Sequence, residues 1–381
     1  MIIAIDGNEA NIKNRVGVNT YAFELLWGLW KLQSEWGNRH KLIVFLKSEP
    51  MRDLPKETEC FKYKVIEGGN AWILKKLTPY LFKHSKEYDL FFSPSHYAPF
   101  FIPMPKYCSI MDLGYLEFTG QFTKKDFWQL KLWTAISIFV SKGVFAISNS
   151  TKKDIVRHYP YAKDKIQVTY LAYNNKKFNL DISSKDVRRI GSRHSIVSDY
   201  VLYLGTLKPS KNIEGLLEAF SLVTHSQSID TNLKLVIAGK KGWMFDGVFK
   251  KVKDLGLEDK VIFTDFIPEE EKPALIKGAK AFILPSFWEG FGLDILNAMA
   301  CGVPVVASNV GSIPEVVGEA GILVDPKSTE SMAEGIKKVI SLGKTDYNSM
   351  IERGLVQASK FSWEKTARKT LEVLTKEKYE G

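Results

Sequence analysis

Short apolar runs, each closed by a turn and followed by a segment of helical periodicity, recur in two series along this chain. In the first half they fall at residues 2–6, 42–46, 63–66, 90–92, 107–111 and 144–148. In the second they fall at 200–204, 233–238, 261–264, 281–284, 303–307 and 321–324. Runs this short, without polar alternation, are strands buried on both faces. Strands alternating with helices join through right-handed βαβ units into mostly parallel sheets. The fold class is therefore α/β with two such domains, residues 1–175 and 200–360. Between them, residues 176–199 are dominated by Asn, Lys, Ser and Arg and read as a linker, while residues 361–381 form a last helical segment. Ligands of parallel sheets bind beyond the carboxyl ends of the strands. The 381 residues suffice for two full cores, and a chain with 45% hydrophobic and 25% charged residues is neither disordered nor collagen-like.

Cys60, Cys108 and Cys301 are far apart and odd in number, so neither a disulfide framework nor a zinc site is expected, and a cytoplasmic setting fits best. Residues 1–6 read as a strand rather than a signal peptide, and no apolar run approaches the roughly 20 residues needed to cross a bilayer. The formal net charge of +10 favours acidic partners. No nucleic-acid module is present, so phosphates and anionic lipid headgroups are preferred over nucleic acid. The helix at about 18–36 carries Trp27 and Trp30 away from its main apolar stripe. They read either as packing residues or as an amphipathic anchor at a membrane surface.

The most informative stretch runs from Pro285 to Pro304. A buried strand ends at Pro285, and Gly290 and Gly292 bring the backbone close to whatever lies above it. A helix then runs from about Leu293 to Cys301, and Gly302 stops it. A helix N-terminus behind a glycine-bearing loop attracts anions through its unpaired N–H groups and dipole. Glu289 beside it would repel phosphate but would accept hydrogen bonds from sugar hydroxyls. Phosphate and polyol together point to a nucleotide sugar.

The same stretch resembles the donor-site motif of the retaining GT-B glycosyltransferases of family four: Glu-Gly-Phe-Gly-Leu-Pro, a few residues, a second Glu, then Ala-Met-Ala-Cys-Gly-x-Pro-Val. The chain matches at Glu289, Gly290, Phe291, Gly292 and Leu293, and departs at Asp294, where the family has Pro, and at Asn297, where it has the second Glu. The resemblance implies that Glu289 contacts the transferred sugar and that position 297 meets the ribose hydroxyls. On that ground alone, Asn297→Glu is expected to tighten the donor. The resemblance also covers Gly205 to Asn212, in which Lys211 holds the pyrophosphate, Thr206 occupies the position of a frequent Arg, and Lys208 offers a second cation. It brings a backbone amide at Gly17 near the phosphates. It places Asp112 in a Met111-Asp112-Leu113 segment where the family has His-Asp-Leu. Catalytic roles are thus expected for Glu289, Lys211 and Asp112.

The resemblance implies two Rossmann-like domains facing across a cleft and a C-terminal helix returning to the first. It also implies retaining transfer of a hexose from a nucleoside-diphosphate sugar to a glycan or lipid-linked acceptor. No cofactor or metal is expected, since no Asp-x-Asp is present and the six histidines are scattered. Thr206 and the Asp112 block resemble mannosyl- and rhamnosyltransferases, so GDP-mannose is the expected donor and UDP-sugars the alternative. The competing reading from another class is a nucleotide-sugar-binding protein without transferase activity. Gly343-Lys344-Thr345 resembles a P-loop ending, but no strand precedes it and Lys338 stands where a Gly is required.

Overall fold

The structure, a computed structural model, describes residues 1–118, 120, 123–226, 232–242 and 245–377. The chain folds into two compact units: Met1–Leu171 with Ser362–Gly381, and Ala172–Phe361.

The first unit holds a seven-stranded sheet of β1 (Ile2–Asp6), β2 (Lys41–Leu46), β3 (Phe61–Val65), β4 (Leu90–Ser93), β5 (Lys106–Ile110), β6 (Gly143–Ala146) and β7 (Ile166–Val168). Its order is β3-β2-β1-β4-β5-β6-β7, and neighbouring strands pair in parallel, with Ala4 opposite both Ile43 and Phe91. β4, β5 and β6 are buried throughout, as unalternated runs under helices on both faces must be. The helix Val18–Lys31 turns Tyr21, Ala22, Leu25, Leu26 and Leu29 inward. It packs on the C-terminal helix Trp363–Thr375, which thus completes the first unit rather than the second. The approach is close at Gly28, where a Cβ would stand 2.7 Å from Ala367 Cβ. Thr366 donates to the Tyr170 carbonyl at 2.6 Å, and the Arg368 guanidinium forms a two-pronged pair with Glu35.

The second unit holds β8 (Tyr200–Leu204), β9 (Lys234–Ala238), β10 (Val261–Asp265), β11 (Ala281–Leu284), β12 (Val305–Ser308) and β13 (Ile322–Val324). Their order is β10-β9-β8-β11-β12-β13, again parallel. Each sheet starts near its middle, runs to one edge, then returns to the middle and runs to the other. Both therefore have a switch point, between β1 and β4 and between β8 and β11, where successive loops splay apart and leave a crevice.

One sequence expectation changes, and one open choice is resolved. Residues 176–199 are not a bare connector: they belong to the second unit and hold the helix Ser184–Arg193. That helix buries only Ile190, which is why its polar composition reads as a linker; Ser183 caps it by accepting from the Asp186 amide. Trp27 and Trp30 are packing residues. Their indole N–H groups donate to the carbonyls of Asp53 and Lys56, and the two rings meet edge to face at 5.4 Å. A further helix of the first unit runs over Lys124–Val140. Among the described residues no helix is long and apolar enough to cross a membrane.

Candidate functional site

The switch point of the second sheet gathers most of the residues singled out by sequence. The loop after β8 runs through Gly205 to the short turn Pro209–Lys211, and the loop after β11 runs from Pro285 to Gly292. The Phe287 amide donates to the Ser210 carbonyl at 2.9 Å and ties the two loops together. Across that tie the Lys211 ammonium pairs with Glu289 Oε1, both side chains being largely buried. Ser286 Oγ donates to the same carboxylate oxygen at 2.7 Å, while Ser312 Oγ donates to the Glu289 carbonyl at 2.9 Å. Lys211 is aimed by its neighbour: Asn212 sits in the left-handed region at φ 54° and its amide is anchored to the Pro326 carbonyl at 2.7 Å. A held cation beside a held carboxylate can take a phosphate and a hydroxyl side by side.

The helix Leu293–Ala300 starts from Gly292, whose left-handed φ of 86° suits glycine and turns the first amides of the helix toward the loop. One turn in, Asn297 Nδ2 donates to Asp294 Oδ1 at 2.9 Å. The two departures from the family motif are therefore partners, with a carboxylate one turn earlier on the helix instead of at 297. Burial raises the Asp294 carboxyl above its ordinary value, although Lys272 and the bond from Asn297 oppose this. Asn297 Oδ1 and Trp288 Nε1 are buried without a hydrogen-bond partner among the described residues. Beneath them Tyr203 is fully buried; desolvation, then the negative charge of Glu289 and Asp294, keep its phenol protonated.

Thr206 and Lys208 lie in the loop after β8, where the Thr206 carbonyl accepts from the Tyr203 hydroxyl at 3.4 Å. That loop lies against the one after β9: Gly242 N donates to the Leu207 carbonyl at 3.0 Å. A Cβ on Gly239 would meet the Gly205 carbonyl oxygen at 2.0 Å. Gly239 and Gly242 thus let the loop after β9 lie against the loop after β8.

Gly17 and Asp112 belong to the first unit, at the ends of different connections. Gly17 (φ 54°) caps the helix Val18–Lys31 with open space around its Cα. Asp112 follows β5, is exposed, and accepts from the Gly114 amide at 2.8 Å just before the short helix Gly114–Glu117. At this sheet's own switch point two groups escaped sequence reading. Asp6, at the end of β1, is buried, and desolvation raises its carboxyl to about 6 against the bonds from Asn8. His96, just past β4, has its ring 3.9 Å from that of Tyr97, and its Nε2 is buried without a partner. Burial lowers its pKa to about 4, so it is neutral. Only its position after a central strand could have flagged it. Among the described residues no group of three or more His, Cys, Asp or Glu is arranged to hold a metal ion.

Residues 193–378 match the family model of glycosyl transferases group 1. The chain is similar to the O-antigen chain mannosyltransferase B of Escherichia coli, 29% identical over 346 residues that take in 90% of this chain and 84% of that one. It is also similar to the serotype-specific mannosyltransferase WbdA of Escherichia coli, 28% identical over 236 residues. Those cover 61% of this chain and only 29% of that longer protein. Among solved structures, Anabaena HepE, crystallised with UDP and glucose, shares the fold with a TM-score of 0.72 over 99% of both chains at 18% identity. With two parallel sheets of seven and six strands and these loops gathered at the switch point of the second, the chain is a glycosyltransferase of GT-B fold whose residues 193–378 form a glycosyl transferases group 1 domain.

Proposed function

We propose that the chain transfers mannose from GDP-mannose, with retention of configuration and without a metal, to a glycan or lipid-linked acceptor at the inner face of a membrane. The observation that carries the donor site is the Lys211–Glu289 pair at the β8/β11 switch point, next to the helix that starts at Gly292. Mannosyltransferase relatives support the choice of sugar. On binding, the diphosphate takes Lys211 and the amides of the Leu293–Ala300 helix as partners, and Glu289 is released toward the sugar hydroxyls. In the reaction the bond from C1 to the β-phosphate oxygen breaks and the nucleoside diphosphate departs. The acceptor oxygen bonds to C1 on the same face, and its proton passes to the departing phosphate oxygen. Lys211 and the helix amides meet the charge that develops on the leaving group. Thr206, Lys208 and Gly17 serve donor binding in this reading, and Asp112 adds a carboxylate on the acceptor side.

A donor panel tests it: binding of GDP-, UDP-, ADP- and dTDP-sugars, with nucleotide release followed in the presence of candidate acceptors. GDP-mannose should bind best and release GDP. Preference for a UDP-sugar overturns the donor, and binding without turnover across an acceptor screen favours the non-catalytic binder.

Asp294 reverses what the motif alone suggests for position 297. A Glu there would set a second carboxylate within hydrogen-bond distance of Asp294 in a buried site, and like charges so close cannot both ionise cheaply. Asn297→Glu is expected to weaken nucleotide affinity by about tenfold, and Asp294→Ala with Asn297→Glu to recover it, a coupling of about 1 to 2 kcal/mol. Titration calorimetry with GDP across the four proteins reads this directly. Additive effects would show that the two side chains do not act as a pair.

A further inference from the structure

The helix Lys124–Val140 is apolar on both faces. Its inner face packs on the first unit's core through Phe127, Leu130 and Ile138. Its outer face should be polar on a globular protein, yet Trp128, Leu132, Ile136 and Phe139 stand 53%, 56%, 37% and 70% exposed at helical spacing. Neighbours extend the patch. Tyr161, itself 55% exposed, packs edge to face on Phe139 at 5.9 Å. Phe101, 76% exposed, follows Phe100, whose ring lies 5.2 Å from Trp133. The helix stretch from 128 to 139 is roughly 16 Å long. Large apolar groups gathered so on one surface mark a docking site.

Cations frame this face. Lys124 and Lys125 lie in the helix's first turn, Lys131 reaches over the Trp128 ring at 5.0 Å, and Lys142 and Lys163 follow at the far end. Asp126 and Asp164 are the acids interspersed there, and Asp126 is held by the Thr123 hydroxyl. We propose that this face docks on an anionic lipid bilayer, with the aromatic and aliphatic side chains entering the headgroup boundary and the lysines meeting lipid phosphates. Rings and leucine between lysines are the composition that partitions to that boundary. A second copy fits poorly, because an isologous contact would press the same lysines against one another. A single helix face is convex and offers a peptide no groove. The proposal deepens the membrane element of the function above but rests on the first unit alone, so the two can fail separately.

The test is co-sedimentation of the full chain with vesicles of phosphatidylcholine, alone or in equal parts with phosphatidylglycerol, with GDP binding measured in parallel. The wild type should bind the anionic vesicles, and binding should fall steeply as salt rises. Trp128→Gln with Leu132→Ser and Phe139→Ser should lower partitioning by about tenfold or more at unchanged melting temperature and GDP affinity, since those side chains are exposed in the folded state. Lys124→Glu with Lys125→Glu should lower it by a similar factor at low salt. Absent vesicle binding, salt-independent binding to neutral lipid, or undiminished binding by the triple variant overturns the proposal. So does a wild-type dimer that the triple variant dissolves without any lipid effect. Lost GDP binding with intact vesicle binding would sink the donor reading and leave this one standing.

Discussion

Lys211→Ala is expected to weaken GDP and UDP binding and to cut transfer by about 10²- to 10³-fold, the loss of 2 to 5 kcal/mol typical when one member of a buried, hydrogen-bonded charge pair is removed. Two effects add. The diphosphate loses a cation whose position is set by the Asn212 anchor to Pro326. Among the described residues the largely buried Glu289 carboxylate is then left with the Ser286 hydroxyl alone as a side-chain partner, so the incoming phosphates meet an uncompensated negative charge. Lys211→Arg should recover part of the affinity, since charge is restored without the fitted point geometry. Calorimetry with both nucleotides, beside a melting curve to confirm folding, reads the effect. Unchanged nucleotide affinity in a folded Lys211→Ala protein would remove Lys211 from the donor site.

Gly239→Ala should be the costliest single methyl in the second unit. Gly239 holds φ 145°, and an added Cβ would stand 2.0 Å from the Gly205 carbonyl oxygen and 2.6 Å from its carbon. Both obstacles are backbone, which no rotamer change can move. Strain and overpacking together amount to about 3 kcal/mol or more, roughly 6 to 12 °C of melting temperature for a unit of this size. Nucleotide binding should fall with it, because the loop after β8 carrying Lys211 would be displaced. Gly343→Ala, where a Cβ meets nothing within 4 Å, is the control and should leave both readouts unmoved. A Gly239→Ala protein that melts like the wild type would show that the two loops can separate freely.

Much of this was legible in sequence because two signals are short-range. Strands buried on both faces write themselves as unbroken apolar runs, so the positions of β1, β8 and β11 follow from composition alone. The loop from Pro285 to Gly292 and the segment from Gly205 to Asn212 each carry their chemistry in consecutive residues, which made Lys211 and Glu289 readable one by one. Their pairing, 78 positions apart, depends on strand order, which local periodicity does not encode. The Asp294–Asn297 bond was within reach at a spacing of three on a helix. It was hidden because each residue, taken alone, looked like a lost family residue. Trp27 and Trp30 were ambiguous for a related reason: helical spacing shows that they leave the main stripe, but not that the carbonyls of Asp53 and Lys56 wait for them. The helix Lys124–Val140 is the sharpest case, since an element with apolar residues on both faces has no periodic signal to say which side faces out.

The return of the helix Trp363–Thr375 to the first unit sets an order of events during synthesis. The face of Val18–Lys31 that it covers emerges early from the ribosome, yet its cover is made only after the whole of Ala172–Phe361 has been added. At translation rates of about 5 to 20 residues per second that interval is roughly 10 to 40 s, long beside the folding time of a domain. The second unit, continuous in the chain, can therefore reach its native state first, while the first waits with one flank open. A nascent chain of this design is most exposed to chaperones and to misassociation in the unit made earlier, not in the one made later.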